Sequence, residues 1–275
     1  MRNVFTVDLE EWFHICGVPA LARDQWERLP SRVEVTTHRL LDVLDTAQVT
    51  ATFFVVGWIA ERYPRLIDAV RHAGHQVGSH GYAHERAYEL GPDRFARDLA
   101  AGVTALNDAG VADVRVYRAP EWSINARSLW ALDALVDAGF SVDASMAPLR
   151  IVGDPSWPRY PHMRATRGGG ILEVPPLVAD RFGQVIPMGW GWGLRMSSPR
   201  RVLRAIEAEN RRGRPAVLNI HPWEIDRDPP RVALPYGLAF AHYFRLGGFL
   251  DRLREVIGRA EFGSLEGVPI PRETL

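Results

Sequence analysis

The chain has 275 residues, of which 47% are hydrophobic and 24% are charged, so it can bury one sizeable core. Lys plus Arg and Asp plus Glu number 33 each, and this balance argues against a nucleic acid or an anionic membrane surface as partner. A neutral polymer or a small molecule is a better match for this charge balance as the partner.

A single cysteine, Cys16, excludes an intrachain disulfide, so we expect a buried structural thiol and no need for an oxidising compartment. The first residues, MRNVFTVDLEEWF, are already acidic at Asp8 and lack the basic start and apolar stretch of a secretory signal. No apolar run approaches the ~20 residues of a membrane span. We therefore expect a cytoplasmic protein without a transmembrane segment, and the oligomeric state is left open.

Short apolar runs rich in β-branched residues alternate along the chain with stretches of helical periodicity. The predicted strands cover residues 4–7, 52–56, 76–79, 114–117, 141–143, 171–174 and 216–220. The predicted helices cover residues 59–73, 93–109, 125–139 and 198–213, with Asn125 and Ser198 as N-caps. Two Pro- and Gly-rich stretches, 148–170 and 226–237, are expected to be long loops over the active face.

Strand–helix alternation with few hairpin signals predicts a parallel sheet wrapped by helices. About seven such units favour closure into a parallel (β/α) barrel, and no Gly-x-Gly-x-x-Gly follows the first strand to support a doubly wound open sheet. We predict an α/β fold in which residues 1–275 form a single domain, with a C-terminal extension from about residue 222.

Polar residues collect directly after the predicted strands, whereas the strand bodies are apolar. They are Asp8 and Glu10 after the first strand, His80 and His84 after the third, Arg118 after the fourth, Asp143 at the end of the fifth and His221 after the last. All strands of a parallel barrel end on the same face, so these residues should converge there. So many ionisable groups on one rim are costly to desolvate and indicate a functional site.

The spacing of these residues suits a metal site. Asp8 and Glu10 are two residues apart and leave a strand by the same face, and two adjacent carboxylates repel unless a cation or a shared proton relieves them. His80 and His84 are four apart and can reach one metal from a helical turn. One carboxylate and both histidines make a three-ligand set that leaves a position for water. The other carboxylate can act as base, and His221 can protonate a leaving amine.

Each of these features also has an ordinary structural explanation. A His-x-x-x-His pair alone seldom binds metal, Arg118 could simply pair with a nearby acid, and His221 before a proline could be a satisfied core histidine. Their combination on one rim favours function. The remaining histidines have no comparable setting and are predicted to be surface or structural residues: His14, His38, His72, His75, His162 and His242.

The sequence resembles the polysaccharide deacetylases of carbohydrate esterase family 4, which have a distorted barrel fold, because it contains their motifs in the same order. The matching segments are Thr-Val-Asp8-Leu-Glu10, Ser-His80-Gly-Tyr-Ala-His84, Arg118-Ala-Pro120, Asp143 and Leu-Asn-Ile-His221. The resemblance covers most of the chain, up to about His221. The tail, with His-Pro-Trp-Glu-Ile-Asp and His242-Tyr-Phe, resembles exosortase-associated exopolysaccharide deacetylases of bacteria.

The resemblance implies a role for each matching residue. Asp8 corresponds to the general base, His80 and His84 to the metal-binding histidines, and His221 to the general acid. Arg118 would hold the base, and Asp143 would tune the acid histidine. Many family members have two consecutive aspartates, of which the second binds metal. Leu9 stands in that place here, so Glu10 is expected to supply the metal carboxylate, and the metal is expected to be zinc.

Aromatic residues suggest a sugar-binding wall, because a flat ring suits the apolar face of a sugar. The candidate substrate-binding residues are Trp12, Pro120, Trp122, Trp190, Trp192 and Trp223. For any single tryptophan a core position is the simpler explanation. The run from Gly189 to Gly193 (GWGWG) is harder to place in a core, since glycines do not hold a buried strand well.

The predicted function is a metal-dependent hydrolase that removes N-acetyl groups from an N-acetylated oligosaccharide or polysaccharide, in bacterial exopolysaccharide biosynthesis. Two alternatives stay open. One is an allantoinase-like amidohydrolase acting on a small amide, although such metal-free relatives usually lack the metal histidines. The other is a non-catalytic sugar-binding relative, although such a protein tends to lose at least one of the site residues.

Overall fold

A largely parallel sheet runs through residues 1–268, the part of the chain that the computed structural model describes. The strands are β1 (Asn3–Leu9), β2 (Thr52–Val55), β3 (Gln76–Ser79), β4 (Val116–Tyr117), β5 (Val142–Asp143), β6 (His162–Thr166), β7 (Gly169–Glu173), β8 (Val178–Arg181), β9 (Gln184–Pro187), β10 (Val217–Ile220) and β11 (Phe262–Gly263). All of them belong to this sheet except β8 and β9, which form a separate antiparallel pair. Residues 269–275 of the predicted domain lie outside the described residues.

Helices follow most of the strands. They are α1 (Val33–Thr46), α2 (Gly57–Arg62), α3 (Pro64–His72), α4 (Ala87–Asp108), α5 (Trp130–Asp137), α6 (Gly191–Met196), α7 (Pro199–Arg211), α8 (Tyr236–Tyr243) and α9 (Phe249–Ile257). Within residues 1–268, none of these helices combines the length and the apolar character needed to cross a membrane.

The strands pair in the order β10-β1-β2-β3-β4-β5-β7, all parallel, with β6 antiparallel at the edge beyond β7. The seven parallel strands overlap the seven predicted from the sequence. Beyond β7 the chain returns to β10, where the Leu177 N–H donates to the Val217 carbonyl at 2.9 Å and the Asn219 N–H donates to the Gly189 carbonyl at 2.6 Å. The predicted α/β fold of parallel strands and helices is confirmed.

Several predicted boundaries were wrong. The helix predicted over 59–73 is two helices, because Pro64 has no N–H to continue α2 and begins α3 instead. Asn125 is not a helix N-cap: its side chain accepts from the Arg127 N–H in a turn, and α5 begins only at Trp130. The loop predicted over 148–170 contains β6, whose short edge pairing has no alternating apolar pattern to reveal it.

Alternation along β1 separates the core from the site. Phe5, Val7 and Leu9 belong to the largest hydrophobic cluster, which also holds residues of α1 and α9. Because successive side chains of a strand point to opposite faces, Thr6 and Asp8 point the other way, into the barrel interior. The apolar Leu9 is therefore in the core. The acidic residues on either side of it, Asp8 and Glu10, lie instead where the parallel strands end.

The carboxylate of Glu11 caps α1 from a distance. It accepts hydrogen bonds from the Ser31 hydroxyl and from the backbone N–H groups of Arg32 and Val33, at 3.0 and 3.2 Å for the two amides. These amides belong to the first turn, where a helix has no internal acceptors for its N–H groups. Glu11 is buried, so this single side chain links the end of β1 to the start of α1.

Replacing Glu11 with Ala should therefore leave those amides without an acceptor and lower the free energy of unfolding by about 1–3 kcal/mol. Urea denaturation measures the change. Glu34→Ala is the matched control, because Glu34 is an exposed acid in the first turn of the same helix. Equal losses in the two variants would contradict the capping role.

Candidate active site

A cavity of about 270 Å³ lies where the parallel strands end. Nine of the predicted site residues line it: Asp8, Glu10, His80, His84, Trp122, Trp190, Trp192, His221 and Trp223. They come from the ends of β1, β3, β4 and β10 and from α6. The convergence expected for a parallel barrel therefore occurs in the structure.

Three buried side chains in this cavity form a donor set for a metal ion. One ligand atom from each of Glu10, His80 and His84 lies within 4.8 Å of the other two. The Glu10 Oε2 atom is 2.5 Å from His84 Nε2 and 3.9 Å from His80 Nε2. A carboxylate oxygen and two imidazole nitrogens are suitable ligands for a divalent cation such as zinc.

Hydrogen bonds turn the two imidazoles toward this point. The His80 Nδ1 lies 2.7 Å from the backbone carbonyl of Arg118. A carbonyl only accepts, so Nδ1 must carry the proton, and Nε2 is left with a free lone pair. His84 Nδ1 lies 3.7 Å from the Cys16 Sγ, which donates to the His84 carbonyl at 3.1 Å. The half-buried thiol thus supports a candidate ligand from outside the cavity.

The backbone around the cavity is strained. His84, Glu121 and Trp122 all have positive φ angles, of 51°, 53° and 50°. Such angles are uncommon for residues other than glycine, and they concentrate at functional sites where the surroundings hold them in place.

Glu10 is held in the ionised form that binds metal. Burial opposes its ionisation, but the charges of His84 and His221 and the hydrogen bond from His84 hold the pKa of its carboxyl below the usual value. Trp223 adds a hydrogen bond from Nε1 to Glu10 Oε1 at 3.2 Å. These contacts fit the predicted replacement of a metal aspartate by Glu10.

A buried arginine holds Asp8. The Arg118 Nη1 donates to Asp8 Oδ1 at 2.8 Å, to the Thr6 hydroxyl at 2.9 Å and to Asn219 Oδ1 at 2.5 Å, while Nε donates to the Ala144 carbonyl at 2.9 Å. Asn219 completes the arrangement by donating from Nδ2 to Asp8 Oδ2 at 2.9 Å. Sequence reasoning did not single out Asn219, although it precedes His221 by two residues and so shares its side of β10.

This network keeps Asp8 charged. Burial of Asp8 disfavours the carboxylate, but Arg118 together with His221 lowers the pKa of its carboxyl below the usual value. A buried, ionised carboxylate beside a candidate metal site can accept a proton.

His221 lies close to both Asp8, in β1, and Glu10, directly after it. Its Nε2 is 3.8 Å from Asp8 Oδ2 and 3.6 Å from Glu10 Oε1. Burial alone would lower the pKa of His221, but the carboxylates of Glu10, Glu224 and Asp8 raise it to about 9. The protonated ring can therefore act as an acid toward a group in the cavity.

The residue paired with the other nitrogen of His221 corrects one prediction. Asp143 was expected to tune this histidine, but Glu224 Oε2 lies against His221 Nδ1 at 3.1 Å. Asp143 is at the end of β5, where its Oδ1 accepts from the Ser145 hydroxyl at 2.5 Å and its partner across the sheet is Glu173. Glu224 follows His221 by three residues, and the 3-10 turn after β10 brings its carboxylate against the His221 ring.

The predicted aromatic wall is largely present. Trp122 and Trp190 stack with their ring centroids 4.3 Å apart, and Trp192 and Trp223 also line the cavity. Trp12 does not line the cavity. Its side chain is 1% exposed and belongs to a hydrophobic cluster, and its Nε1 donates a hydrogen bond to the Pro30 carbonyl. Pro120 is buried and begins the turn that carries Trp122.

Two histidines predicted to be surface or structural in fact line the cavity. His14 accepts the Glu11 N–H on Nδ1 at 3.4 Å, so its Nε2 carries a proton, and within the described residues that atom has no protein partner. His242 stacks on Trp223 with centroids 4.3 Å apart. Both come from loops or helices without a strand-end signal, so only the folded chain reveals them.

Comparisons with known proteins agree with this geometry. The family described as "Polysaccharide deacetylase" matches residues 25–140, and a domain of unknown function (DUF3473) matches residues 144–269. Polysaccharide deacetylases are thus the family that residues 25–140 resemble. The second domain is typical of exosortase-associated deacetylases.

Two curated relatives show how far the similarity extends. A peptidoglycan-N-acetylglucosamine deacetylase of Bacillus cereus is 29% identical over 163 residues, which cover 55% of this chain and 57% of the relative. A chitooligosaccharide deacetylase of Sinorhizobium fredii is 33% identical over 142 residues, which cover 43% of this chain and 64% of the relative. The chain therefore spans about three fifths of these relatives' lengths.

Solved structures show the same fold. A protein of Mycobacterium smegmatis assigned to the polysaccharide deacetylases is similar with a TM-score of 0.61 at 22% identity, covering 94% of this chain and 85% of that one. A peptidoglycan N-acetylglucosamine deacetylase gives a TM-score of 0.53 at 16% identity, covering 96% of this chain and 86% of that one.

The donor set predicts how loss of one ligand should affect metal binding. Glu10→Gln should weaken binding of Zn²⁺ at least about 100-fold, because loss of a ligand costs more than the ~10- to 100-fold seen for outer partners. Equilibrium dialysis measures the affinity. Glu121→Gln is the control, because Glu121 lines the same cavity but binds the Cys16 amide and Arg86. Unchanged affinity in Glu10→Gln would remove Glu10 from the donor set.

Proposed function

We propose that the protein is a metal-dependent deacetylase that removes N-acetyl groups from an amino-sugar polymer or oligosaccharide, with zinc as the metal. The observation that carries the proposal is that Asp8 and His221 line the same cavity as the Glu10, His80 and His84 donor set, with His221 Nε2 within 4 Å of both Asp8 and Glu10. Hydrolysis of an unactivated amide needs a base for water and an acid for the amine, and both are next to the donor set.

A divalent metal bound by Glu10, His80 and His84 would polarise the acetamide carbonyl and lower the pKa of the attacking water. Asp8 accepts a proton from that water while the water oxygen forms a bond to the carbonyl carbon. Arg118 and Asn219 hold Asp8 in place for this step. When the carbon–nitrogen bond breaks, His221 gives its Nε2 proton to the departing amine, and the products are acetate and the free amino sugar.

The cavity supports a sugar substrate. Its lining combines the stacked pair Trp122 and Trp190 with Trp192 and Trp223. Aromatic faces can cover one side of a sugar ring while the hydroxyls stay hydrated. The named substrates of the relatives, peptidoglycan and chitooligosaccharides, contain N-acetylated sugars. The match of residues 144–269 supports a bacterial exopolysaccharide as the physiological polymer.

The direct test is acetate release from an N-acetylglucosamine oligomer by the purified protein with Zn²⁺, with and without a chelator. The proposal expects release that the chelator abolishes and added Zn²⁺ restores. Hydrolysis of a small cyclic amide such as allantoin, unaffected by the chelator, would instead identify an amidohydrolase. Binding of the oligomer without any acetate release would identify a non-catalytic sugar-binding protein.

Removing the acid or the base should stop the reaction without removing the metal. Asp8→Asn and His221→Gln are each expected to lower kcat by about 10²- to 10⁴-fold, the usual contribution of general acid–base catalysis. Zn²⁺ binding and thermal unfolding are measured on the same samples, because Asp8→Asn leaves the charge of Arg118 unbalanced. His72→Gln, at an exposed position, is the control. Wild-type turnover in either variant would refute its role.

The aromatic wall should govern affinity more than chemistry. Trp190→Ala is expected to raise KM for the oligomer about tenfold, since a stacked ring contributes about 1 kcal/mol beyond its buried area. Steady-state kinetics separate KM from kcat. Trp157→Ala is the control, because Trp157 packs against a different hydrophobic cluster. A change in kcat alone would show that Trp190 does not bind the sugar.

A further inference from the structure

We propose that Arg195 is a positioning residue for His221, acting through Glu224, and that it ties helix α8 to the acid side of the site. The proposal deepens the function proposed above and takes from it the role of His221. It rests on the contacts that two buried side chains, Arg195 and Glu224, make with His221, with α8 and with one glycine.

Glu224 stands between Arg195 and His221. The Arg195 Nε lies 3.0 Å from Glu224 Oε1, and these two side chains are only 3% and 1% exposed. The other carboxylate oxygen, Oε2, accepts from the His221 backbone N–H at 3.1 Å and lies 3.1 Å from His221 Nδ1. The ring nitrogen that faces the cavity is therefore oriented from behind by a carboxylate that is itself paired with a buried guanidinium.

Helix α6 is shaped around this carboxylate. Gly191 and Arg195 are four residues apart in α6 and so lie on the same face of the helix. A Cβ at Gly191 would overlap the Glu224 carboxylate. The helix thus offers a gap at one position and a positive charge one turn later, and Glu224 fits between them. This accounts for a glycine that the sequence pattern placed in a groove wall.

Arg195 also holds the end of α8. Its Nη1 donates to the carbonyls of His242 and Phe244, each at 3.0 Å. The His242 ring stacks on Trp223, and Trp223 in turn stacks against His221 with centroids 5.2 Å apart. One guanidinium is therefore ion-paired with the carboxylate behind His221 and hydrogen-bonded to the helix end that covers the neighbouring Trp223 ring.

All of these residues belong to the region matched by the domain of unknown function, residues 144–269. The Glu10, His80 and His84 donor set lies before that region. On this proposal the second region supplies the acid half of the active site, and Arg195 is its central contact.

Loss of the guanidinium would leave the Glu224 carboxylate buried beside His221 without its strongest counter-charge. An uncompensated buried charge is costly, so the carboxylate would move or take up a proton. Either change releases His221 Nδ1 from its present orientation.

The test compares Arg195→Met with Arg252→Met. Arg252 is the matched control, because its Nη1 also binds carbonyls at the end of α6, with 2.9 Å to that of Ser197, yet it does not contact Glu224. Arg195→Met should lower kcat for acetate release about 10- to 100-fold, the effect typical of residues that orient an active imidazole. Arg252→Met should stay within about twofold of wild type.

A double variant shows whether Arg195 acts through Glu224. If it does, Arg195→Met combined with Glu224→Gln should lower kcat no further than Glu224→Gln alone, because the two residues form one unit. Multiplying losses would overturn the proposal. Gly191→Ala tests the same arrangement without removing a charged side chain, and it replaces Arg195→Met as the test if that variant fails to fold. Its added methyl group should displace Glu224 and lower kcat, and an unchanged kcat would count against the proposal.

Proton NMR gives a readout that does not depend on turnover. The His221 Nδ1 proton, identified by its loss in His221→Gln, should give a downfield signal in the wild type and in Arg252→Met, and that signal should be lost or shifted in Arg195→Met and Gly191→Ala. Persistence of the signal in Arg195→Met would overturn the positioning role. Absence of acetate release by the wild type would overturn the proposed function instead, and the NMR comparison would still decide the role of Arg195.

Discussion

The buried guanidinium of Arg118 is the interaction on which the site depends. Its side chain bonds to Thr6 and Asp8 of β1, to Asn219 of β10 and to the carbonyl of Ala144 after β5. Its own backbone carbonyl accepts from His80 after β3. A single residue at the end of β4 therefore connects the ends of the neighbouring strands. Because it is fully buried, its charge requires the carboxylate of Asp8, and the acid is required in turn at that point of β1.

Around this pair, the structure concentrates charge where solvent is excluded. Asp8, Glu10 and Glu224 are buried carboxylates, and Arg118, Arg195 and three histidines face them. Each charge stays favourable only while its partners hold their positions, since a displaced partner leaves an uncompensated buried group. The stacked tryptophans and the backbone at His84, Glu121 and Trp122 limit such displacement. The cost of this arrangement in stability makes sense if the groups act on a bound substrate.

The two regions of the chain divide the work between them. The donor set and the base come from β1 and the turn after β3, before residue 144, whereas the acid and the side chains that orient it come from β10, α6 and α8. Since β10 pairs directly with β1, His221 is brought beside Asp8 and Glu10 although it follows them by more than 200 residues. The division of the chain into domains remains a prediction, but the cavity requires both regions.

Local patterns were enough to locate the seven parallel strands and nine of the residues that line the cavity, because strand periodicity and the placement of polar groups at strand ends are properties of short segments. Alternation on β1 also predicted that Leu9 would face away from Glu10. Tertiary structure alone decided the pairing of Glu224 rather than Asp143 with His221, the use of Arg195 and Asn219, the burial of Trp12, and the entry of His14 and His242 into the cavity. The reason is physical: these contacts join residues whose spacing in the chain carries no period, and they exist only once packing has set the distances between separate elements.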